Sequence, residues 1–529
     1  MAKVISAQQS AELIKDGATV AWTTAGLCSF CEEVASAVEA RFLETGHPKN
    51  ITLTHSCGCG DHKTRGMNHF GHEGLAKKSI AGHIGEAPAL GKLVADNKVE
   101  CHLLPQGVLT HLWRQMAGKK IGVITKVGLG TFADPRLEGG AVNSITDKNE
   151  RVKLIDFEGE EYLYYRPFGI DVAVIRGSTA DERGNMTMDR EALFLEALSL
   201  ATAVKNNGGI VIAQVEYLAK PGTLHPKQVK VPGVLVDYVV LSKPENHMQT
   251  KKTIYNPALS GDSKVPMGNI PPVPLDERKI IARRAAMELS PNSTLNLGIG
   301  MPDGVGSVAA EEGISEMLTM TTELGNFGGM PAGGLDFPAT YNSECTIDHP
   351  YMFDFYDGGG LDACVLGLAQ TDREGNLNVS KFGPKVVGPG GFINISSSAK
   401  KVIFVGTLTA GAEYEIKDGT IKITKEGDIK KFVNKVDQIT FSGSYASKAG
   451  KKVVYVTERA VFELEDGELT LVEIAPGLEL EKDVIAAMEF IPRISPDLKE
   501  MPKEIFEPDW GELKKIMESK IKNKDKRGN

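Results

Sequence analysis

Residues 171–188 read DVAVIRGSTADERGNMTM and residues 362–379 read DACVLGLAQTDREGNLNV. They align at a constant offset of 191, which pairs Asp181 with Asp372, Gly184 with Gly375 and Asn185 with Asn376. Each opens on an apolar run suited to a strand and closes on Asp-x-x-Gly-Asn. That element suits a tight turn between two strands, where Asn and Gly accept positive φ. A weaker match pairs DGATVAWTTAG, from Asp16, with PNSTLNLGIG, from Pro291. The repetition predicts two homologous α/β domains in one chain.

Outward from these phrases the chain alternates strand and helix patterns. Ser6 to Lys15 reads as a helix capped by Ser6 and stopped at Asp16-Gly17. Ala18 to Thr23 reads as a strand and Glu32 to Phe42 as a helix. Further strands are expected over Ile51–Thr54, Val172–Arg176, Ile210–Val215 and Val234–Leu241. The pattern restarts where Asp276 caps a helix carrying Ile281, Ala285 and Leu289, followed by a strand over Thr294–Leu297. Strands spaced by helices imply a parallel or mixed sheet covered on both faces. Turn residues crowd Ser242 to Leu275, including Pro271, Pro272 and Pro274. The expected division is an N-terminal domain over 1–245, a linker over 246–274, a second domain over 275–515 and a basic tail over 516–529. Duplicated open α/β domains place their site in the cleft between them.

Composition bounds the function classes. The 529 residues are 41% hydrophobic and 24% charged, with net charge −9. That mild acidity argues against nucleic-acid or membrane partners. No apolar run approaches the ~18 residues of a membrane span, and MAKVISAQQSAELIKDG lacks signal-peptide character. Seven cysteines do not suggest a disulfide framework, so a reducing cytoplasm is expected. Glycine is the outlier: 57 in the chain, about 11% against the usual ~7%. Residues 321–391 alone hold 14 of them.

Candidate chemistry gathers in that segment. TELGNFGGMPAGGLDF, from Thr322, follows a short strand-like run, Met317–Met320. Glu323 would then stand at the C-terminal end of a strand beside a glycine loop, the edge at which open α/β sheets bind ligands. Gly325, Gly328, Gly329, Gly333 and Gly334 would leave backbone N–H groups free for an oxyanion. A second glycine turn, Gly388-Pro-Gly390-Gly391-Phe392, offers adjacent amides. Gln106, in Pro105-Gln106-Gly107, offers a side-chain donor. A rival reading takes Gly298-Ile-Gly300-Met-Pro-Asp-Gly304 as a dinucleotide turn, although Pro302 lacks an N–H. Cys28, Cys31, Cys57 and Cys59 are close in sequence, with His62, His69 and His72 behind them. Four thiolates could hold zinc, but C-x-C is an uncommon zinc spacing, so free thiols and no metal are expected. P-loop, G-x-S-x-G and H-E-x-x-H motifs do not occur.

Read together, these stretches resemble the single-chain family I CoA-transferases, in particular the acetate/propionate type with fused α and β halves. From about Lys15 to Pro492, RFLETGHPKN, HFGHEGL, PQGVLTHL, KVGLGTFADPR, VKVPGVLVDYVV, TELGNFGGMPAGG, FDFYDGGGLD, GNLNVSKFGP, GPGGFINIS, TLTAG, ITFSG and EIAPG carry the resemblance in order. It implies that Glu323 attacks an acyl-CoA thioester. An acyl-glutamyl anhydride and then a glutamyl-CoA thioester follow in ping-pong turnover. It implies that Gln106, Asn296 (in LNLGIG) and Gly391 stabilise oxyanions, and assigns Gly325, Gly328, Gly329, Gly388, Gly390 and Lys381 to substrate and CoA binding. Coenzyme A is then a substrate, transiently covalent on Glu323, with no tightly bound cofactor. A homo-oligomer, often a tetramer, is implied too. Many relatives carry Ser or Asn after the nucleophile. Leu324 here points to a changed acyl preference, and Cys28, Cys31 and Cys59 are also unusual. The acid itself stays open, as do acyl-CoA hydrolysis on the same scaffold and a non-enzymatic CoA or dinucleotide sensor.

Overall fold

The computed structural model describes residues 2–266 and 273–526. Residues 267–272 of the expected linker and 527–529 of the expected basic tail lie outside the described residues. The chain forms two compact units. The first comprises Met1–Val265, Thr322–Asp354 and Ser380–Asn394; the second comprises Pro266–Thr321, Phe355–Val379 and Ile395–Asn529. Two segments of the second sequence half, 322–354 and 380–394, therefore pack as part of the first unit.

The first unit is built on eight parallel strands in the order Lys3–Ile5, Tyr238–Leu241, Ile210–Ala219, Val172–Asp181, Thr19–Trp22, Ile51–His55, Ala76–Ala81, Glu100–Leu103. The strand Val172–Asp181 is buried but for half-buried Thr179, as near-continuous apolar runs such as Val172–Ile175 require when helices cover both faces. Local signals place the helices. The Ser6 hydroxyl accepts from the Gln9 N–H and the Gln9 side chain from the Ser6 N–H, a full capping box at the start of Ala7–Leu13. Tyr238–Leu241 begins later than the run from Val234 suggests. Gly233–Leu235 is a 3₁₀ turn, held where the Gly233 N–H donates to Asn185 Oδ1 at 2.9 Å.

The second unit repeats the core of this arrangement. Leu318–Thr322, Ser293–Leu297, Ala363–Gly367, Lys401–Val405 and Lys452–Val456 are parallel in that order. Ala460–Glu465 and Glu468–Ile474 follow antiparallel, and Arg493–Glu500 closes the sheet. Asp276 caps the helix Glu277–Ala286 by accepting from the Lys279 N–H at 2.9 Å.

The duplication is exact at the level of hydrogen bonds. The Asn185 N–H and amide donate to the two Asp181 oxygens, both at 2.9 Å; Asn376 donates to Asp372 in the same way, both at 3.1 Å. Asn185 Oδ1 receives the Gly233 N–H, and Asn376 Oδ1 receives the Gly443 N–H. The Thr19 N–H donates to Asp171 at 2.8 Å and the Thr294 N–H to Asp362 at 2.9 Å, which bears out the weaker sequence match as well. Among the described residues no helix is long and apolar enough to cross a membrane.

Candidate active site

In the first unit three neighbouring strands, Ile51–His55, Ala76–Ala81 and Glu100–Leu103, are followed by Ser56, Gly82 and Leu104. Ligands gather at such carboxyl edges. Gln106 opens the helix Gln106–Ala117 immediately behind Pro105. The Gly388–Gly391 turn is fastened to this edge. The Gly390 N–H donates to the Gly82 carbonyl at 2.9 Å, and the Gln106 N–H donates to the Gly390 carbonyl at 3.0 Å. Gly388 has φ +100°, and a Cβ there would lie 2.8 Å from the Gly82 oxygen, so only glycine lets the two backbones meet. Gly391 leads from the turn into the helix Phe392–Ser398, and Lys381 lies in the short hairpin that precedes it. The Gly107 N–H donates to Asn394 Oδ1 at 3.0 Å. Thus Gln106 and both ends of the second glycine turn share one scaffold.

Glu323 follows the last residue of the strand Leu318–Thr322 and is half-buried. The chain then turns at Gly325, with φ +123°. The Gly325 N–H donates to the Thr322 carbonyl at 3.1 Å, and the Ile347 N–H donates to the Gly325 carbonyl at 2.9 Å. Asn326 braces the loop, donating to Ser343 Oγ and Thr346 Oγ1, each at 3.0 Å. Gly328 and Gly329 carry the loop on to the hairpin of Met330–Pro331 with Thr340–Tyr341. Leu324 lies in a buried apolar cluster against which Cys57 also packs. It is 1% exposed and packs with Cys28, Leu193, Leu195 and Ala339. Its bulk fills core.

Cys28, Cys31 and Cys59 are buried and Cys57 is half-buried. Burial pushes the Cys28 thiol up to about 12 and Cys31 well above the ordinary range. Cys57 is raised by burial first and then by the carboxylates of Glu323, Glu86 and Glu196. The Cys57 thiol therefore lies within electrostatic reach of Glu323. Among the described residues no group of three or more His, Cys, Asp or Glu side chains is placed to hold a metal ion.

A polar chain absent from the sequence reading runs behind Gln106. Gln106 Nε2 is 3.0 Å from His349 Nε2, His349 Nδ1 is 2.7 Å from Glu196 Oε2, and Ser56 Oγ donates to Glu196 Oε1 at 3.1 Å. All four residues are buried. The helix is also clamped lower down. His111 Nε2 donates to the Pro350 carbonyl at 3.0 Å, and Arg114 Nη2 donates to Asp354 at 2.7 Å. Asn296 belongs to the second unit, inside the strand Ser293–Leu297. It is in register with Thr321 on one side and Cys364 on the other, and its amide donates to the Tyr356 hydroxyl at 3.2 Å.

Comparison with known proteins fixes the class. Residues 4–242 match the family described as Coenzyme A transferase. Over 523 residues the chain is 53% identical to the caffeate CoA-transferase of Acetobacterium woodii, covering 98% of this chain and all of that protein. The chain belongs to the CoA-transferase family. This CoA-transferase is also 42% identical to the acetate CoA-transferase YdiF of Escherichia coli strain K12, over 95% of each chain. The crystal structure of the acyl-CoA transferase YdiF apoenzyme from Escherichia coli O157:H7 superposes with a TM-score of 0.91 at 41% identity, covering 96% of this chain and 97% of that one. A crystal structure of that enzyme as a thioester complex with CoA superposes with a TM-score of 0.90 at 41% identity. CoA transfer between an acyl-CoA and a carboxylic acid is therefore the activity of the class, with CoA as a substrate.

Proposed function

We propose that the enzyme works by ping-pong transfer through Glu323. The Glu323 carboxylate attacks the thioester carbonyl carbon; the C–S bond breaks, leaving an acyl-glutamyl anhydride and the CoA thiolate. The thiolate attacks the glutamyl carbonyl, the first acid departs as its carboxylate, and a glutamyl-CoA thioester remains. A second carboxylate reverses both steps and leaves as the new acyl-CoA. Gln106 donates to the oxyanion on the acyl side, and Gly391 and Asn296 are assigned to the glutamyl oxyanion, Gly391 through its backbone N–H. Gly325, Gly328, Gly329, Gly388, Gly390 and Lys381 contact CoA and substrate. The observation that carries this reading is the end of the strand Leu318–Thr322: a half-buried carboxylate followed at once by a glycine turn pinned on both sides by backbone hydrogen bonds. A carboxylate so held is oriented in advance of attack.

The acids named for the two relatives, caffeate and acetate, set the first substrates to test, with short-chain acids beside hydroxycinnamates. We further infer a homo-oligomer. The test is to incubate the protein with acetyl-CoA and analyse the Glu323 peptide by mass spectrometry. The expected result is a CoA-linked or, after borohydride, reduced Glu323. Full transfer by Glu323→Ala would overturn the assignment.

A further inference from the structure

We infer that His349, oriented by Glu196, is a positioning residue that fixes which end of the Gln106 amide faces the substrate. The inference rests on Gln106 acting as an oxyanion donor. A carboxylate only accepts hydrogen bonds, so Glu196 Oε2 takes the N–H of His349 Nδ1 and Oε1 takes the Ser56 hydroxyl proton. With its proton on Nδ1, the imidazole presents a lone pair at Nε2. Gln106 Nε2, 3.0 Å away, must therefore donate one of its two N–H bonds to it. The amide carbonyl is turned toward Gly390, where a Cβ would lie 3.6 Å from Gln106 Oε1. The second N–H of the amide is left to donate to substrate. Rotating the amide by half a turn would set two lone pairs against each other and replace that donor with an acceptor. A glutamine amide is nearly symmetric in shape, so packing alone does not choose between the two orientations. The chemistry of His349 does. Ser56, Glu196 and His349 are all at 0% exposure, which keeps water from offering His349 an alternative partner.

This arrangement separates positioning from scaffolding. The segment that bears His349 is held independently by the His349 N–H donating to the Leu195 carbonyl at 2.9 Å, by the His111 bond to the Pro350 carbonyl and by the Arg114 pair with Asp354. Loss of the imidazole should thus free the Gln106 amide while leaving the segment attached.

The experiment is a double-mutant cycle in the full-length enzyme, reading kcat and KM for acetyl-CoA with propionate as acceptor. Gln106→Ala and His349→Ala should each lower kcat about a hundred- to a thousandfold, the range for loss of an oxyanion donor, with KM changing little. The double variant should be no slower than Gln106→Ala alone, because His349 acts only through that amide. Glu196→Gln, which keeps an acceptor for the His349 N–H, should recover most of the activity that Glu196→Ala loses. If His349→Ala does not fold, the Glu196 pair measured in both the Gln106 and Gln106→Ala backgrounds makes the same comparison. Multiplicative losses in the double variant, or wild-type turnover by His349→Ala, would overturn the inference. Wild-type turnover by Gln106→Ala would instead remove the oxyanion role of Gln106 itself, and the positioning role with it.

Discussion

Replacing Gly325 by Ala tests whether the loop after Glu323 is part of the machinery. At φ +123° a side chain costs of order 1–3 kcal/mol in backbone strain. The entropy lost from the unfolded chain returns about 0.4–1 kcal/mol, so strain wins. A Cβ would also stand 2.1 Å from the Ile347 carbonyl oxygen. Backbone cannot swing aside as a side-chain end does, so restoring an ordinary contact moves the loop by about 1 Å, a displacement that costs on the order of a hundredfold in rate. The Gly325 N–H bond to Thr322 and the Ile347 N–H bond to Gly325 carry that displacement to Glu323. We expect a melting temperature lower by several degrees, roughly 2–4 °C per kcal/mol for a domain of this size. We also expect kcat/KM for acetyl-CoA to fall about a hundredfold, measured well below the transition. Gly159→Ala is the control: φ is +83° and nothing lies within 4 Å of its Cβ, so it strains the backbone without displacing a neighbour. It should lose stability and keep its turnover. If Gly325→Ala turns over at the wild-type rate, the loop does not position Glu323 and the reasoning fails.

Glu323→Asp should fold normally and lose about a hundredfold or more in kcat, because removing one methylene withdraws the carboxylate by roughly an ångström; a CoA adduct at Asp forming at the wild-type rate would contradict this. Leu324→Ala should cost about 2–5 kcal/mol in urea unfolding, the range for emptying a buried leucine site, and should leave the ranking of acids unchanged, since Leu324 lies in the core beside Cys28. A reordered acid panel would return Leu324 to the acyl pocket. Acid sensitivity follows from Glu191. Burial disfavours its charge, but Arg176 at 2.6 Å and then His247 outweigh that and hold it at about 2. The unfolded carboxyl titrates near ~4.3. The folded state thus binds fewer protons between those values, and about 3 kcal/mol of stability present above pH ~4.3 is lost as the pH falls toward 2. Arg176→Met should flatten that part of the melting-temperature profile; an unchanged profile would assign acid unfolding to other groups.

What could be read from the chain was what is local. The Asp-x-x-Gly-Asn turn keeps its side-chain bonds within four residues, so its two copies announce themselves as a phrase. Glu323 was legible because strand, carboxylate and glycines are consecutive. Ser56, Glu196 and His349 were not, for each is an ordinary residue whose partner stands 140, 153 or 243 positions away. The same distance hides the composition of the first unit, since a reading that treats each repeat as self-contained cannot assign 322–354 and 380–394 to the other one.

The two repeats together say more about the site than either does alone. Thr19 pairs with Thr52 in the first sheet, and Thr294, its counterpart, pairs with Thr319 in the second. Ala21 then pairs with Thr54, and Asn296 with Thr321. Two residues further on, past the ends of equivalent strands, come Ser56 and Glu323. The proposed nucleophile and the serine that supports Glu196 therefore occupy the same station in the duplicated fold. Both stations sit at a carboxyl strand edge beside the repeat's central strand, the edge at which open sheets gather ligands. In one copy that station holds a carboxylate followed by Gly325. In the other it holds a short hydroxyl that donates into a buried chain ending at Gln106. The side chains of HSCGCG and TELGNF have diverged to different tasks, and it is the strand register that carries the equivalence. Duplication supplied two equivalent carboxyl strand ends. On this reading one became the attacking group and the other the support for the donor that meets the charge the attack creates.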